Sequence, residues 1–439
     1  VGVGFARFRA LQPTNTPPLF FLPGGPGGSY LSGLKQGNRQ LASSLKRMEQ
    51  YRRVSDVIFV DQRGASERGE ILKFKYTSPE MPLDQPASLA RYTSSFVEIS
   101  RAAVAELAGK GVDLRGYTVK ECADDVDDLR QALGYRQITL VGTSFGSQWS
   151  FAVMRRHPDK VARALLSGVE PLDYGYDMPS HVFAAVQRMW WEAEKDPRLK
   201  PYLPPGGLAE AAREVLKRLD RAPIQVKTKI KDTRTGEPLT VTIGREDFQR
   251  GFPTGTNGPA FLLSLYHERY DSWAAQVLMG RRSRQVESQL LGPLIDTSLG
   301  VTPRREYLLR TDAGTEFLGQ WNFDSYLATA DIWPSPDVGD EFRTEEVCRI
   351  PVVFAQGDWD TSTPVENLLN VAPYYLNSRV IIAVHGGHGV IDPIADHLPE
   401  VFELLLEFLK TGDMAKLPAR VTLPVPKFAV PDFPPPASK

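Results

Sequence analysis

Gln137-Ile138-Thr139-Leu140-Val141-Gly142-Thr143-Ser144-Phe145-Gly146 carries a short apolar run directly into a Gly-x-Ser-x-Gly pentapeptide. The run has the length of a buried strand, and residues 144–157 read as a helix that stops before Pro158. In that context the two glycines permit a tight, strained turn that pushes the serine side chain out at the top of a sheet. A serine hydroxyl near neutral pH is a poor nucleophile and needs a base to take its proton. Ser144 is therefore the expected nucleophile, and an acid and then a histidine should follow it along the chain.

Similar apolar runs lie at 19–22, 56–60, 164–166, 352–355 and 380–384, each bounded by turn residues. Their near-continuous apolarity suits parallel strands covered on both faces. Residues 3–11 alternate weakly, as an edge strand would. Thr118-Val119-Lys120-Glu121 predicts a capping box, after which Cys122, Val126, Leu129 and Leu133 follow at helical spacing up to Gly134. Pro399 opens a second clear helix, with Val401, Leu404, Leu405 and Phe408 on one face and Gly412 at its end. Alternating strands and helices predict a mostly parallel, doubly wound α/β sheet.

Residues 172–345 break this rhythm. They read as helices at 182–195 and 208–219, then a hairpin whose arms alternate at 224–230 and 239–243, then more helix-like sequence to 292. The block is expected to be a large, mainly helical cap inserted before the last two strands. The core is then formed by 1–171 and 346–416, and 417–439 is a Pro-rich, extended tail.

The 439 residues suffice for one large α/β domain with an inserted layer, or for two ordinary domains. Lys plus Arg number 52 and Asp plus Glu 53, a net charge of −1, which argues against nucleic-acid or anionic-membrane partners. No apolar run approaches the length of a membrane span. Cys122 and Cys348 match no metal motif; two small buried residues are the first expectation and a disulfide the second. The chain begins at Val1, compatible with a removed signal peptide and a secreted or periplasmic location, and otherwise with a cytoplasmic one. Oligomeric state is left open.

Six histidines restrict the choice of base. His388, in Gly386-Gly387-His388-Gly389 just past the last long apolar run, can be brought over the serine by its loop and is the expected general base. His385 is the rival, with shaping of the loop as its alternative role. His157 precedes a proline at a helix end and reads as a surface or capping residue. The acid should follow the 351–356 run, where Asp358 and Asp360 both stand; Asp360 is the choice and Asp358 the alternative, with turn capping as its other role. The oxyanion formed on attack needs two preorganised N–H donors. These are expected from Phe145 and from Gly25, with Gly24 second, in Pro23-Gly24-Gly25-Pro26-Gly27-Gly28. A cis Gly25–Pro26 peptide is also compatible with that loop.

These segments resemble the prolyl and tripeptidyl aminopeptidase group of the α/β-hydrolase fold. Residues 22–28 are similar to its His-Gly-Gly-Pro-Gly loop, with Pro23 where His often stands. Asp61-Gln62-Arg63-Gly64 resembles its Asp-Gln-Arg-Gly segment; 142–146 its elbow; 357–364 and Gly387-His388-Gly389 its acid and base segments. The acid spacing after Gly357 favours Asp360, and the sequence from 216 into the hairpin looks more like the tripeptidyl branch. The resemblance implies hydrolysis of a small peptide from its N-terminal end, with no metal and no cofactor. Such an enzyme must hold an ammonium group with an anion; Glu192, Glu194, Asp196, Glu268 and Asp271 qualify by location alone, and a solvated role is the plainer reading for each. Trp190-Trp191 fits cap core better than a substrate pocket. A carboxylic-ester hydrolase with the same triad is the alternative, and a non-catalytic binding protein on the same fold is the alternative of another class.

Overall fold

The computed structural model describes residues 1–36 and 47–436. Its strands are β1 (Phe5–Phe8), β2 (Leu19–Leu22), β3 (Val57–Val60), β4 (Lys73–Thr77), β5 (Ile138–Thr143) and β6 (Val161–Ser167). They continue with β7 (Ile224–Lys231), β8 (Pro238–Ile243), β9 (Gln285–Gln289), β10 (Val352–Gly357), β11 (Ser378–Val384) and β12 (Arg420–Thr422). The main sheet has the order β1-β3-β2-β5-β6-β10-β11-β12. Only the β1–β3 edge pair is antiparallel. Because the others run parallel, the loops after β2, β5, β6, β10 and β11 all leave the same edge, the usual place for a ligand on such a sheet.

Alternation along each strand splits the apolar residues between two cores. Phe20, Leu22, Ile58, Leu140, Leu166 and Phe354 face one. Leu19, Phe21, Phe59, Val141, Leu165 and Val353 face the other. Both cores are covered by helices, among them Val119–Ala132, Phe145–Arg156 and Pro399–Thr411. Gly412, at φ 85°, ends the last of these in a left-handed cap. The capping box at Thr118 is only half formed. Thr118 Oγ1 accepts from the Glu121 amide at 3.3 Å, whereas the Glu121 carboxylate pairs with Arg63 instead.

The insertion between β6 and β10 packs in two ways. Helices Pro179–Ala193 and Gly207–Arg221, the β7–β8 hairpin and later segments enclose a third core around Trp190, Ile243, Phe248, Trp273 and Phe317. Trp190 is buried there, while Trp191 is exposed. By contrast, helix Leu291–Leu299 and Trp333 pack against the main sheet's first core. The pair β4–β9 was not foreseen: it joins the region after β3 to the insertion through short, charged and half-exposed strands. Cys122 is buried and Cys348 half-buried, and both are free thiols, so the disulfide alternative is not realised.

The Pro-rich tail is more structured than an extended surface segment. β12 pairs parallel with β11, adding a third strand after the insertion. The chain then crosses to the insertion, burying Phe428 against Trp359 and hydrogen-bonding Tyr202 Oη to the Phe433 carbonyl at 2.6 Å. The last part of that predicted tail, 437–439, lies outside the described residues. Among the described residues, no helix is long and apolar enough to cross a membrane. Phe428→Ala should lower unfolding free energy by about 3 kcal/mol through the cavity it leaves, read from urea denaturation; an unchanged midpoint would show that the tail contributes no such tie.

Candidate active site

Ser144 stands between β5 and helix Phe145–Arg156 with φ 60° and ψ −132°, a backbone conformation that L-residues hold only under constraint. The constraint is visible: its amide donates to the carbonyls of Ser167 and Gly168, both at 3.1 Å, at the end of neighbouring β6. Gly146 is required by close packing, since a Cβ there would lie 2.0 Å from the Leu22 carbonyl oxygen. The elbow is thus wedged between the ends of β2 and β6.

The loop after β2 passes over this elbow. A Cβ on Gly24 would lie 3.1 Å from Ser144 Cβ, so only glycine lets the loop come this close. The Gly25–Pro26 peptide is cis. Gln62 holds the loop from both sides: its Oε1 accepts from the Gly27 amide at 2.7 Å, and its Nε2 donates to the Gly24 carbonyl at 2.9 Å. Asp61 is fully buried and accepts from Ser29 Oγ at 2.9 Å, fixing the next helix start. Arg63 makes a two-pronged bond with Asp125, at 2.6 and 2.7 Å. The Asp-Gln-Arg segment therefore braces the glycine loop. Because the Gly24 carbonyl points to Gln62, the Gly25 N–H of the same trans peptide unit points to the other side. Phe145 is the first helical residue, so its amide has no intrahelical acceptor.

His388 and Asp360 meet from the loops after β11 and β10. His388 Nδ1 lies 2.9 Å from Asp360 Oδ2 and 3.1 Å from Oδ1. Donation from Nδ1 leaves Nε2 of the neutral ring as the basic nitrogen. Asp360 has no exposed surface, and it also accepts from the Ser362 and Thr363 amides, Thr363 Oγ1 and Gln356 Nε2. Thr363 was missed from the sequence; its hydroxyl also lies 3.2 Å from His388 Nδ1. Burial pulls the His388 pKa down, but the bond and charge of Asp360, with the charge of Asp177, outweigh this and leave it above the ordinary histidine value.

Asp358 does something different. Its Oδ1 accepts from the His385 amide at 2.8 Å, tying the loop after β10 to the loop after β11. His385 itself bonds the Leu423 carbonyl through Nδ1 at 2.9 Å and packs on Trp359. His157 faces Asp124 at 2.8 Å on the helix end, away from this site. Ser144, His388, Gly24 and Gly25 line one cavity of about 710 Å³.

The carboxylates nominated in the insertion find other work. Glu192 pairs with Lys195, Glu194 accepts from the Leu208 amide, Asp196 pairs with Arg198, and Glu268 lies 3.6 Å from Arg218. Asp271 starts a helix. A different set of carboxylates, Glu170, Asp177 and Asp296, lies near Asp360. Ser147 Oγ donates to the Ser144 carbonyl at 2.7 Å and accepts from the Glu170 amide at 2.9 Å. Asp177 accepts from buried Asn367 at 3.2 Å. Burial pushes Asp177 up to about 7, reinforced by Asp360 and offset by Asn367, Arg305 and His388. Burial alone pushes Asp296 up to about 7. Glu170 is driven well above the ordinary carboxylate range by burial, then by Asp177, Asp296 and Asp360. Glu170 and Asp296 nevertheless keep some accessible surface. Arg305 is the near cation; it stacks over Tyr174 and donates to the Tyr176 carbonyl at 2.9 Å. In the sequence these three carboxylates stand apart, at 170, 177 and 296, and no local motif joins them.

Solved structures similar to this chain include a thermophilic esterase from Thermogutta terrifontis, 15% identical over 93% of this chain and 94% of that one, with a TM-score of 0.37. Others are an esterase from Exiguobacterium antarcticum (14%, 93% and 96%, TM-score 0.35) and Epoxide Hydrolase A from Mycobacterium thermoresistibile (14%, 93% and 95%, TM-score 0.38). Among curated proteins none matches the sequence. The profile of the alpha/beta hydrolase fold matches residues 17–393, and the chain belongs to that family.

Proposed function

We propose that the protein is a serine hydrolase of the aminopeptidase type, acting through an acyl-enzyme. Ser144 Oγ attacks the carbonyl carbon while its proton passes to His388 Nε2, and Asp360 holds the imidazolium that results. The oxyanion is received by the amides of Gly25 and Phe145. His388 then gives the proton to the leaving atom, the acyl–Oγ ester remains, and water deprotonated by His388 releases the acid. The contacts between His388, Asp360 and Thr363 support this assignment.

The observation that carries the aminopeptidase reading is the enclosed acidic group Glu170, Asp177 and Asp296 beside Ser147 and Asn367. Carboxylates kept from water without enough cations hold protons when empty, and an ammonium group supplies the missing charge. The ester alternative is favoured by one feature: the lining of the Ser144 cavity includes none of these three carboxylates.

Fluorophosphonate should label the wild type, and Ser144→Ala should remove both labelling and turnover. Asp360→Asn should lower kcat roughly ten-thousand-fold, as loss of the orienting acid does elsewhere. Asp358→Asn should be mild because its carboxylate meets a backbone amide; the reverse ranking would overturn the acid assignment.

Substrates with a free N-terminal amine should be preferred over acyl-blocked ones. Glu170→Gln and Asp177→Asn should raise KM for the free-amine series by about ten- to a hundred-fold, with little change for blocked substrates; equal effects on both would exclude an ammonium role. The pH dependence has a definite sign. Asp177 and Asp296 ionise as pH rises through about 7, which strengthens ammonium binding. The α-amine loses its proton near pH of about 8, which weakens it. kcat/KM for free-amine substrates should therefore peak between these values. Blocked substrates should follow His388 alone, rising through a pKa above the ordinary histidine value and levelling off. Identical profiles for both series would count against the reading.

A further inference from the structure

The cavity that contains Ser144 and His388 extends well beyond them. Its apolar lining is Phe21, Tyr30, Met48, Tyr51, Phe59 and Ile391, with the Arg47–Asp392 ion pair among its polar residues, all from the sheet and its covering segments rather than from the insertion. The rings hold one another: Phe21 meets Tyr51 edge-on at 4.8 Å, Tyr30 stacks on Phe59 at 4.7 Å, and Tyr51 is backed by Phe402 at 5.6 Å. Its volume of about 710 Å³ lies within the range of small-molecule sites.

Two features distinguish it from a packing void. Voids left by imperfect packing are lined by apolar atoms. Here two phenols line the space, and among the described residues neither the Tyr30 nor the Tyr51 hydroxyl bonds to the protein, although Tyr51 is only 4% exposed. Burial, assisted by Asp392, raises both phenols, Tyr30 to about 12, so they remain donors over the working pH range. The second feature is position. The lining runs from His388 through Gly389 to Ile391. The group that His388 must protonate, the leaving group, belongs on the side of that histidine, whereas the acidic group connects to the elbow through Ser147.

We infer that this cavity is a subsite for an aromatic or bulky aliphatic leaving group. In a peptide that group is the side chain following the scissile bond; in an ester it is the alcohol. The inference rests on the serine-hydrolase assignment above but not on the preference for a free amine.

Methyl and benzyl esters of alanine test it, each with the amine free or acetylated. The two alcohols have nearly equal basicity, so their ratio of kcat/KM reports the subsite rather than the chemistry. The wild-type enzyme should favour benzyl by about tenfold or more. Ile391→Trp, which fills the space, should bring the ratio down to about one. Tyr30→Leu keeps an apolar group at a partly exposed position, loses the ring, and should reduce the ratio several-fold even if the tryptophan variant fails to fold. A wild-type ratio near one, or a ratio unmoved in the folded variants, overturns the proposal. Preference between free and acetylated amine reads the aminopeptidase assignment separately, so either idea can fail while the other stands.

Discussion

A carboxylate with no exposed surface organises the edge of the sheet. Moving such a group out of water costs on the order of several kcal/mol, so Asp360 is tolerable only where donors converge on it. Gln356 and Thr363 are two of these donors, and Gln356 Oε1 accepts in turn from the Val169 amide at 2.7 Å. One buried charge thereby locks the end of β10 to the loop after β6, the loop whose carbonyls hold the Ser144 amide. Asp358 adds a second tie, from β10 to the loop after β11. His388 is oriented because its partner cannot move without abandoning several other bonds. The His388–Asp360 contact is one part of a network that joins three strand ends.

On the opposite flank, a neutral side chain does comparable work. Gln62 has one acceptor and one donor group, and it spends both on the glycine loop. A glycine-rich loop carries high conformational entropy and would be a poor place for a preorganised N–H donor unless something fixed it. The Asp-Gln-Arg segment is that fixture, with Asp61 holding the loop's exit and Arg63 anchored to Asp125. Gln289, from β9, reaches the same place by donating to the Gly64 carbonyl at 3.2 Å. The short β4–β9 pair thus brings part of the insertion against the loop that passes over the elbow.

These networks explain what could be read in advance. The parallel strands were legible because full burial writes itself as short unbroken apolar runs, and the elbow because its glycines follow one of them. β4 and β9 were not, since Lys73-Phe74-Lys75-Tyr76 and Gln285-Val286-Glu287-Ser288 carry charge on an exposed face and give no burial signal. Glu121 looked like half of a capping box, but a buried arginine outcompeted the backbone amide. Glu170, Asp177 and Asp296 resemble any other carboxylates in sequence. Their character comes from enclosure, a property of the assembled fold rather than of local spacing.

Enclosure also gives the two flanks of Ser144 opposite tastes. Toward Ser147 and Asn367, three buried or half-buried carboxyls stand near one guanidinium, that of Arg305. Burial raises the pKa of all three carboxyls, so protons and an entering cation compete for them. Under the proposed aminopeptidase reading, a charged amine gains charge-assisted hydrogen bonds there that a neutral group does not. Toward Tyr30 and Tyr51, packed rings offer apolar area and shape, with Arg47 and Asp392 on the same lining. Under the proposed assignment, a substrate with an ammonium group at one end and an apolar group at the other satisfies both flanks in only one orientation.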